Sequence, residues 1–241
     1  MHNPYAPPAT LPRSTKRAFS PGAPQPWQVG EVFAAALRAY KANWLPLTTA
    51  AFLQTVMGTV LQEVPSLLAK REGLGHSAEI AAIFVGLFVG LLVQSFFMVG
   101  LMRMCLAAAR GGTAMFGDLA GGASHWLPCF AVMLVAMLGV LGYALLIVPG
   151  VIVSASLMVA FFFVIDADMT AVEAMRASWR ASKGSIGKLF AIWLGWFALS
   201  IVGLAACGIG FFAATAIYYL ATAIVYLRMT GQGHSKGHEA P

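Results

Sequence analysis

Residues 119–165 read LAGGASHWLPCFAVMLVAMLGVLGYALLIVPGVIVSASLMVAFFFVI and contain no Asp, Glu, Lys or Arg. A helix needs about 20 apolar residues to cross the hydrocarbon core of a bilayer, so this run is long enough to cross it twice. Pro149 and Gly150 interrupt the run. Because proline is tolerated in the first turn of a helix but not in its interior, we expect two spans, 126–145 and 149–168, with a turn just before Pro149.

Three more uncharged runs cover residues 42–62, 80–102 and 189–227. The first two are separated by a short polar connection, which predicts one hairpin of two spans. The third run is long enough for two spans and contains Gly208 and Gly210, which permit a tight turn between them. The sequence therefore predicts six membrane spans, arranged as three hairpins.

The overall composition agrees with this pattern. Hydrophobic residues make up 59% of the chain, charged residues 10%, and the mean hydropathy is +0.78, whereas a soluble domain carries about 25% charged residues. The predicted fold class is an all-α, polytopic transmembrane helix bundle. The expected division is a Pro-rich, disordered cytoplasmic tail at 1–28, a six-helix transmembrane domain at 29–230, and a second disordered cytoplasmic tail at 231–241.

The distribution of basic residues predicts the orientation. Thirteen of the fifteen Lys and Arg residues lie on one side of the predicted spans, and only Lys70 and Arg71 lie on the other. The positive-inside rule therefore predicts that both termini are cytoplasmic, in a bacterial inner membrane. The basic residues flank apolar runs and form no dense patch, so we expect a lipid bilayer and no nucleic acid as partner.

A polar or amphipathic segment precedes each predicted hairpin, at 29–43, 113–125 and 170–183. The first two lead into Trp-Leu-Pro at 44–46 and 126–128, a pattern typical of an interfacial tryptophan followed by a proline in the first helical turn. We therefore expect three related units, each consisting of an interfacial segment and a hairpin.

Three short stretches carry a family resemblance: LIVPG at 146–150, VID at 164–166 and EAMRASW at 173–179. In this order they resemble a bacterial membrane-protein family related to YciC-type inner-membrane proteins and to the membrane domain that accompanies some glycerophosphodiester phosphodiesterases. The resemblance extends over 29–230 and includes CGIG at 207–210. It implies a six-helix inner-membrane protein. It does not imply phosphodiesterase chemistry, because the catalytic residues of the fused enzymes belong to a separate soluble barrel.

Segment 170–183 predicts a cytoplasmic helix that lies in the headgroup layer. Thr170 and Glu173 have the spacing of a capping box. An apolar stripe recurs at i, i+3 and i+7 in Val172, Met175 and Trp179. The other side carries the candidate lipid-surface residues Arg176, Arg180 and Lys183. Anionic headgroups on the cytoplasmic side are the expected partner, and Asp166 and Asp168 are candidate ion-pair partners of Arg176 or Arg180.

Gly86 and Gly90 are candidates for helix packing, because their spacing removes two side chains from one face of a span. Packing within the chain is the favoured interpretation, and a dimer interface is the alternative. A homo-oligomer or another membrane protein is the candidate protein partner of the chain as a whole. Gln54 and Gln94 are the most central strongly polar side chains, with interhelical hydrogen bonding as the favoured role.

No catalytic, cofactor-binding or metal-binding residue is predicted. The sequence contains no HExxH, GxSxG or phosphate-binding loop, and the serines within the spans more often bond to their own backbone than act as nucleophiles. We expect a non-enzymatic membrane protein that assists envelope organisation, lipid handling or a partner membrane protein. A small-molecule or lipid transporter is the alternative.

Overall fold

The computed structural model describes residues 22–73, 75–120, 125–145, 157–205 and 208–232, with the backbone alone at 120 and 138–145. These residues form nine helices and no strand. In chain order the helices are α1 (Val29–Ala42), α2 (Trp44–Arg71), α3 (His76–Ala109), α4 (Gly117–Ala120), α5 (Trp126–Leu145), α6 (Ala160–Ala167), α7 (Ala171–Ser182), α8 (Ile186–Ala205) and α9 (Ile209–Met229). The predicted all-α class is confirmed within these ranges.

Four of the described helices, α2, α3, α8 and α9, are long and apolar enough to cross a membrane. The chain is therefore a membrane-embedded, multi-pass protein. Helix α5 has the bounds of the third predicted span, and its side chains are described as far as Met137. The fourth predicted span falls partly outside the described residues, as do the helix-break candidates Pro149 and Gly150. The count of six spans stays a prediction.

The segments that precede the hairpins differ from one another. Helix α1 leads into α2 at Trp44, and α5 begins at Trp126, as the two Trp-Leu-Pro patterns predict. The described part of the second predicted segment contains the four-residue α4, which packs against α3 where Gly100 meets Leu119. The third contains the longer helix α7. The described parts of these three segments therefore do not share a common interfacial helix.

Helices α2 and α3 form an antiparallel hairpin through close backbone contacts. Gly58 lies against Gln94, while Gly86 and Gly90 lie against the turn of α2 around Gln62. A Cβ atom added at Gly90 would lie 3.0 Å from the Gly58 carbonyl oxygen, and one added at Gly86 would overlap the Gln62 carbonyl oxygen. These glycines thus bring two helices of the same chain into contact.

The α8–α9 turn lies at the predicted break. Helix α8 ends at Ala205 and α9 begins at Ile209, directly after Gly208. Gly208 has φ of +78°, a backbone conformation that strains most other residues. A Cβ atom at Gly210 would lie 2.6 Å from the Gly203 Cα atom, so the second glycine permits the close approach of α8 and α9.

Helix α9 is central, because it packs against α1, α2, α3 and α8. Its C-terminal half is buried, as is the C-terminal part of α3. Tyr226 is fully buried and contacts two aromatic rings of α6, with ring centroids 5.7 Å from Phe162 and 5.1 Å from Phe163. The core of the protein therefore lies where the ends of α3, α6 and α9 meet.

Residues 22–28, part of the segment that the sequence assigns to the Pro-rich tail, lie against the end of α9. The backbone N–H groups of Gly22 and Gln25 donate to the carbonyl oxygens of Thr230 and Arg228. Trp27 is buried, and Lys188 of α8 donates to its carbonyl oxygen at 2.9 Å. The prolines of this segment are compatible with its extended course. Proline has no backbone N–H group, but only a few backbone N–H groups donate hydrogen bonds here.

Candidate functional site

Helix α7 begins with the predicted capping box. The Glu173 carboxylate accepts hydrogen bonds from the Thr170 hydroxyl at 2.8 Å and from the Thr170 backbone N–H at 3.0 Å. These two bonds stabilise the ionised carboxylate and lower the pKa of Glu173. Asp168 and Met169 connect α6 to Thr170. Asp168 has φ of +54°, a left-handed conformation that aspartate tolerates better than most residues. The start of α7 is thus fixed independently of any ligand.

The surface of α7 is divided into three sectors. The first is buried against the bundle and consists of small residues, Ala174, Ser178 and Ser182. The second is apolar and largely accessible, with Trp179 at 43% and Val172 at 53% exposure, and with Met175 half-buried beside them. The third carries Arg176, Arg180 and Lys183, all exposed. Val172 and Trp179 of the predicted apolar stripe therefore do not face the bundle core, because the small residues occupy that position, while Met175 packs partly against the core.

A groove of about 920 Å³ lies along α7 and extends to Val135 of α5 and to Leu157, just before α6. Its apolar wall is formed by Val135, Leu157, Met175, Ala177 and Trp179. Its polar wall includes Arg176, Arg180, Asp168 and Glu173. The groove therefore places two guanidinium groups beside an open apolar surface.

The charges in the groove differ in how they are engaged. The Glu173 carboxylate caps α7, and an Asp168 carboxylate oxygen lies 3.1 Å from the His125 Nε2 atom. Within the described ranges, neither Arg176 nor Arg180 forms an ion pair with a carboxylate. The Arg180 Nε atom donates only to the Arg176 carbonyl oxygen, at 3.3 Å. The cationic groups of the groove are thus available to an anion.

A second polar site joins the ends of three helices. One terminal nitrogen of Arg110, just after α3, lies 2.7 Å from both carboxylate oxygens of Asp166 in α6. The Tyr226 hydroxyl of α9 donates to Asp166 at 2.9 Å, and Arg110 also donates to the Gln232 side-chain oxygen at 2.8 Å. The Arg110 and Asp166 side chains are only 25% and 14% exposed. Such a shielded, hydrogen-bonded ion pair fixes the relative positions of the helix ends.

This arrangement corrects the expected pairing of Asp166. The sequence indicated Arg176 or Arg180, both nearby along the chain, but the structure pairs Asp166 with Arg110, which lies 56 positions earlier. The reason is geometric: Asp166 is on the last turn of α6, where the end of α3 is adjacent, while Arg176 and Arg180 lie on the exposed side of α7. Asp168, the second candidate, contacts His125.

Arg110, Tyr226 and Gln232 are not among the residues that the sequence predicts for a site. Tyr226 lies in an uncharged run and Arg110 belongs to the basic residues counted for topology, so neither has a local pattern that predicts a shared site. A hydroxyl-bearing aromatic residue near the end of an apolar helix was the only available signal, since a buried tyrosine hydroxyl usually finds a partner.

The polar side chains within the helices bond mainly to neighbouring helices or to their own backbone. The Gln54 amide donates to the Tyr219 hydroxyl at 3.3 Å, which confirms the expected interhelical bond. The Ser95 hydroxyl donates to the Leu92 carbonyl oxygen and accepts from the Trp126 indole N–H at 2.9 Å.

Within the ranges that the structure describes, no group of three or more His, Cys, Asp or Glu residues could hold a metal ion. The groove beside α7 is the candidate site, because it combines two exposed guanidinium groups with an open apolar wall. Comparisons with protein-family models, with curated proteins and with solved structures find no match to this chain.

Proposed function

We propose that this chain is a non-enzymatic, six-span protein of a bacterial inner membrane that engages anionic lipid at the cytoplasmic surface through α7. Its role would be to assist lipid handling, envelope organisation or a partner membrane protein. The LIVPG, VID and EAMRASW stretches resemble YciC-type inner-membrane proteins, and this resemblance supports the proposal.

The observation that carries the proposal is the division of α7 into three sectors. A surface helix that only packed on a bundle would bury its largest apolar side chains, but α7 buries Ala174, Ser178 and Ser182 and leaves Val172 and Trp179 exposed. An apolar strip beside a basic strip is the pattern of a helix at the boundary between headgroups and acyl chains. Each basic residue near an anionic leaflet contributes about 1 kcal/mol to membrane attraction.

The positions of the basic residues support the proposed orientation. Arg110, Lys188 and Arg228 take part in contacts at the same end of the bundle as Asp166, Trp27 and Glu31. Lys70 and Arg71 lie at the far end of the antiparallel α2–α3 hairpin. Arginine and lysine gathered at one end fit a cytoplasmic face for that end.

Cysteine labelling tests this orientation. In a cysteine-free background, single cysteines at the exposed positions Gly75 and Lys183 should react with a membrane-impermeant reagent from opposite sides of the membrane, Gly75 from outside. Reaction of both from the same side would exclude the proposed topology.

Spin-label depth tests the lipid contact. A label at Met175, in vesicles that contain anionic lipid, should lie deeper than in vesicles of zwitterionic lipid alone. Replacing Arg176, Arg180 and Lys183 by glutamine should remove that difference. If the depth depends on neither lipid charge nor the substitutions, α7 is held by packing alone and the lipid-surface proposal is wrong.

A transporter is the second candidate, and one observation favours it. A cavity of about 150 Å³ lies between α3, α9 and the start of α6 around Met158 and Phe161. Tyr219 lines this cavity, and its hydroxyl accepts a hydrogen bond from the Gln54 amide. The Gln54 side-chain oxygen is buried and has no hydrogen-bond partner among the described residues. A transport path through this point predicts that Gln54→Leu abolishes substrate-dependent flux while the protein remains folded. Under the preferred proposal, Gln54→Leu leaves lipid contact at Met175 unchanged.

A further inference from the structure

We infer that the groove between α7 and α5 is a binding site for a single anionic phospholipid. Its phosphate lies against Arg176 and Arg180, and one acyl chain lies along Val135, Leu157 and Met175. This inference rests on the proposed function, which places α7 in the headgroup layer. It goes further by assigning a defined site with one occupant, whereas general surface attraction requires only a basic helix face.

The cationic part of the site has the chemistry of phosphate recognition. Arg176 and Arg180 are one helical turn apart, so their guanidinium groups project from the same side of α7. Guanidinium groups bind phosphate through paired hydrogen bonds, which fix the orientation of the anion as well as its charge. The two nearby carboxylates do not compete for these groups in the structure, because Glu173 accepts from Thr170 and Asp168 contacts His125.

The apolar part of the site distinguishes a lipid from a soluble anion. Val135 and Trp179 are exposed at 36% and 43%, and the groove continues from them to the nearly buried Leu157. A soluble phosphate compound would leave this wall uncovered, whereas an acyl chain would cover it. A headgroup beside a chain-sized wall therefore points to a membrane phospholipid.

The volume of the groove, about 920 Å³, is within the size range of small-molecule binding sites and exceeds what a headgroup alone would fill. Lys183 provides an internal comparison. It is exposed and follows α7, but it does not line the groove. A defined lipid site requires Arg176 and Arg180 but not Lys183, while diffuse surface attraction draws on all three residues about equally.

Native mass spectrometry of the full chain in detergent, titrated with phosphatidylglycerol, tests the site. The first phosphatidylglycerol molecule should bind more tightly than phosphatidylcholine. Arg176→Gln and Arg180→Gln should each weaken it by about fivefold, the equivalent of one headgroup charge contact. Lys183→Gln should change it by less than about twofold. Equal effects of all three substitutions would overturn the defined site and leave the surface proposal intact.

A second pair of variants tests the apolar wall. Val135→Trp narrows the groove, whereas Leu134→Trp adds the same bulk at a neighbouring exposed position that does not line it. The first should weaken phosphatidylglycerol binding and the second should not. If soluble glycerol phosphate displaces the lipid and Val135→Trp has no effect, the site takes a free anion and the lipid assignment is wrong. The spin-label depth at Met175 reports separately on the surface proposal.

Discussion

The two halves of α3 are equally apolar in composition but lie in different surroundings. Near its N-terminus, Ile83, Phe84, Val85 and Phe88 are about half to two-thirds exposed. Near its C-terminus, Val99, Leu101, Met104 and Cys105 are fully buried among α2, α6 and α9. At 1.5 Å per residue this 34-residue helix is about 51 Å long, longer than the hydrocarbon core of about 30 Å.

The difference shows that hydropathy does not distinguish a lipid-facing surface from a protein core. Acyl chains and aliphatic side chains solvate apolar groups similarly, so burial in the membrane is decided by packing and by polar contacts. The N-terminal half of α3 is held to α2 by glycine contacts, while the C-terminal half is closed by the Arg110–Asp166–Tyr226 cluster. The two halves should therefore respond to different substitutions.

The largest effect is expected at the Arg110–Asp166–Tyr226 cluster, beside the C-terminal end of α3. Asp166→Ala leaves the Arg110 guanidinium without its carboxylate, and removing one member of a buried pair costs about 3 to 5 kcal/mol. Because these side chains keep some exposure to solvent, we expect a loss of about 2 to 3 kcal/mol in the free energy of unfolding. Denaturant titration in detergent measures this loss.

Two variants control for this result. Tyr226→Phe keeps the buried ring but removes the hydrogen bond to Asp166, and it should cost about 1 kcal/mol. Asp168→Asn removes the charge of a half-exposed carboxylate, and asparagine also tolerates the left-handed conformation at this position. It should therefore lower the free energy of unfolding by less than Asp166→Ala does. Equal losses for Asp166→Ala and Asp168→Asn would show that the cluster does not stabilise the packing at the C-terminal end of α3.

The second prediction concerns the N-terminal half of α3. Gly86→Ala places a methyl group against the Gln62 backbone, which cannot move without separating α2 and α3. Overpacking of this kind costs about 1 to 3 kcal/mol. Gly187→Ala in α8 is the matched control, because nothing lies within 4 Å of its added Cβ atom. Gly187 lies in the first turn of α8, so its replacement by alanine should be neutral or gain less than the roughly 0.5 to 1 kcal/mol typical of a helix interior. Gly86→Ala should therefore lower thermal stability while Gly187→Ala leaves it unchanged or raises it; equal losses in the two variants would contradict this packing.

Local signals predicted local structure well. The Trp-Leu-Pro patterns mark the starts of α2 and α5, and the glycines at 208 and 210 mark the α8–α9 turn. Thr170 and Glu173 predicted the start of α7, because a capping box needs only one turn of helix. These features depend on residues a few positions apart, so the sequence carries them directly.

The partner of Asp166 and the groove could not be predicted in this way. Arg110 and Asp166 meet because α3, α6 and α9 pack together, and no spacing along the chain encodes that contact. The apolar stripe of α7 was recognised, but its position relative to the bundle depends on which face packs. The small residues at 174, 178 and 182 hold that position. Small side chains allow close helix approach, a preference that hydrophobic periodicity does not measure.

The smallest expected effect is a pH dependence confined to the first turn of α7. The Thr170 hydrogen bonds lower the pKa of Glu173 in the folded protein below its value in the unfolded chain. The ionised carboxylate therefore stabilises the folded state at pH above the unfolded pKa, and this contribution is lost as the pH falls through the folded pKa. Hydrogen exchange at the Ala174 amide, corrected for intrinsic rates, should show less protection on acidification. Glu173→Gln can still cap the helix but does not titrate, so its protection at Ala174 should stay constant with pH. Amides of the α2–α3 hairpin provide the reference, since Gly58, Gly86 and Gly90 make contacts without titratable groups. If Ala174 loses protection equally in the wild type and in Glu173→Gln, the change arises elsewhere in the protein, and the ionised cap does not hold the start of α7.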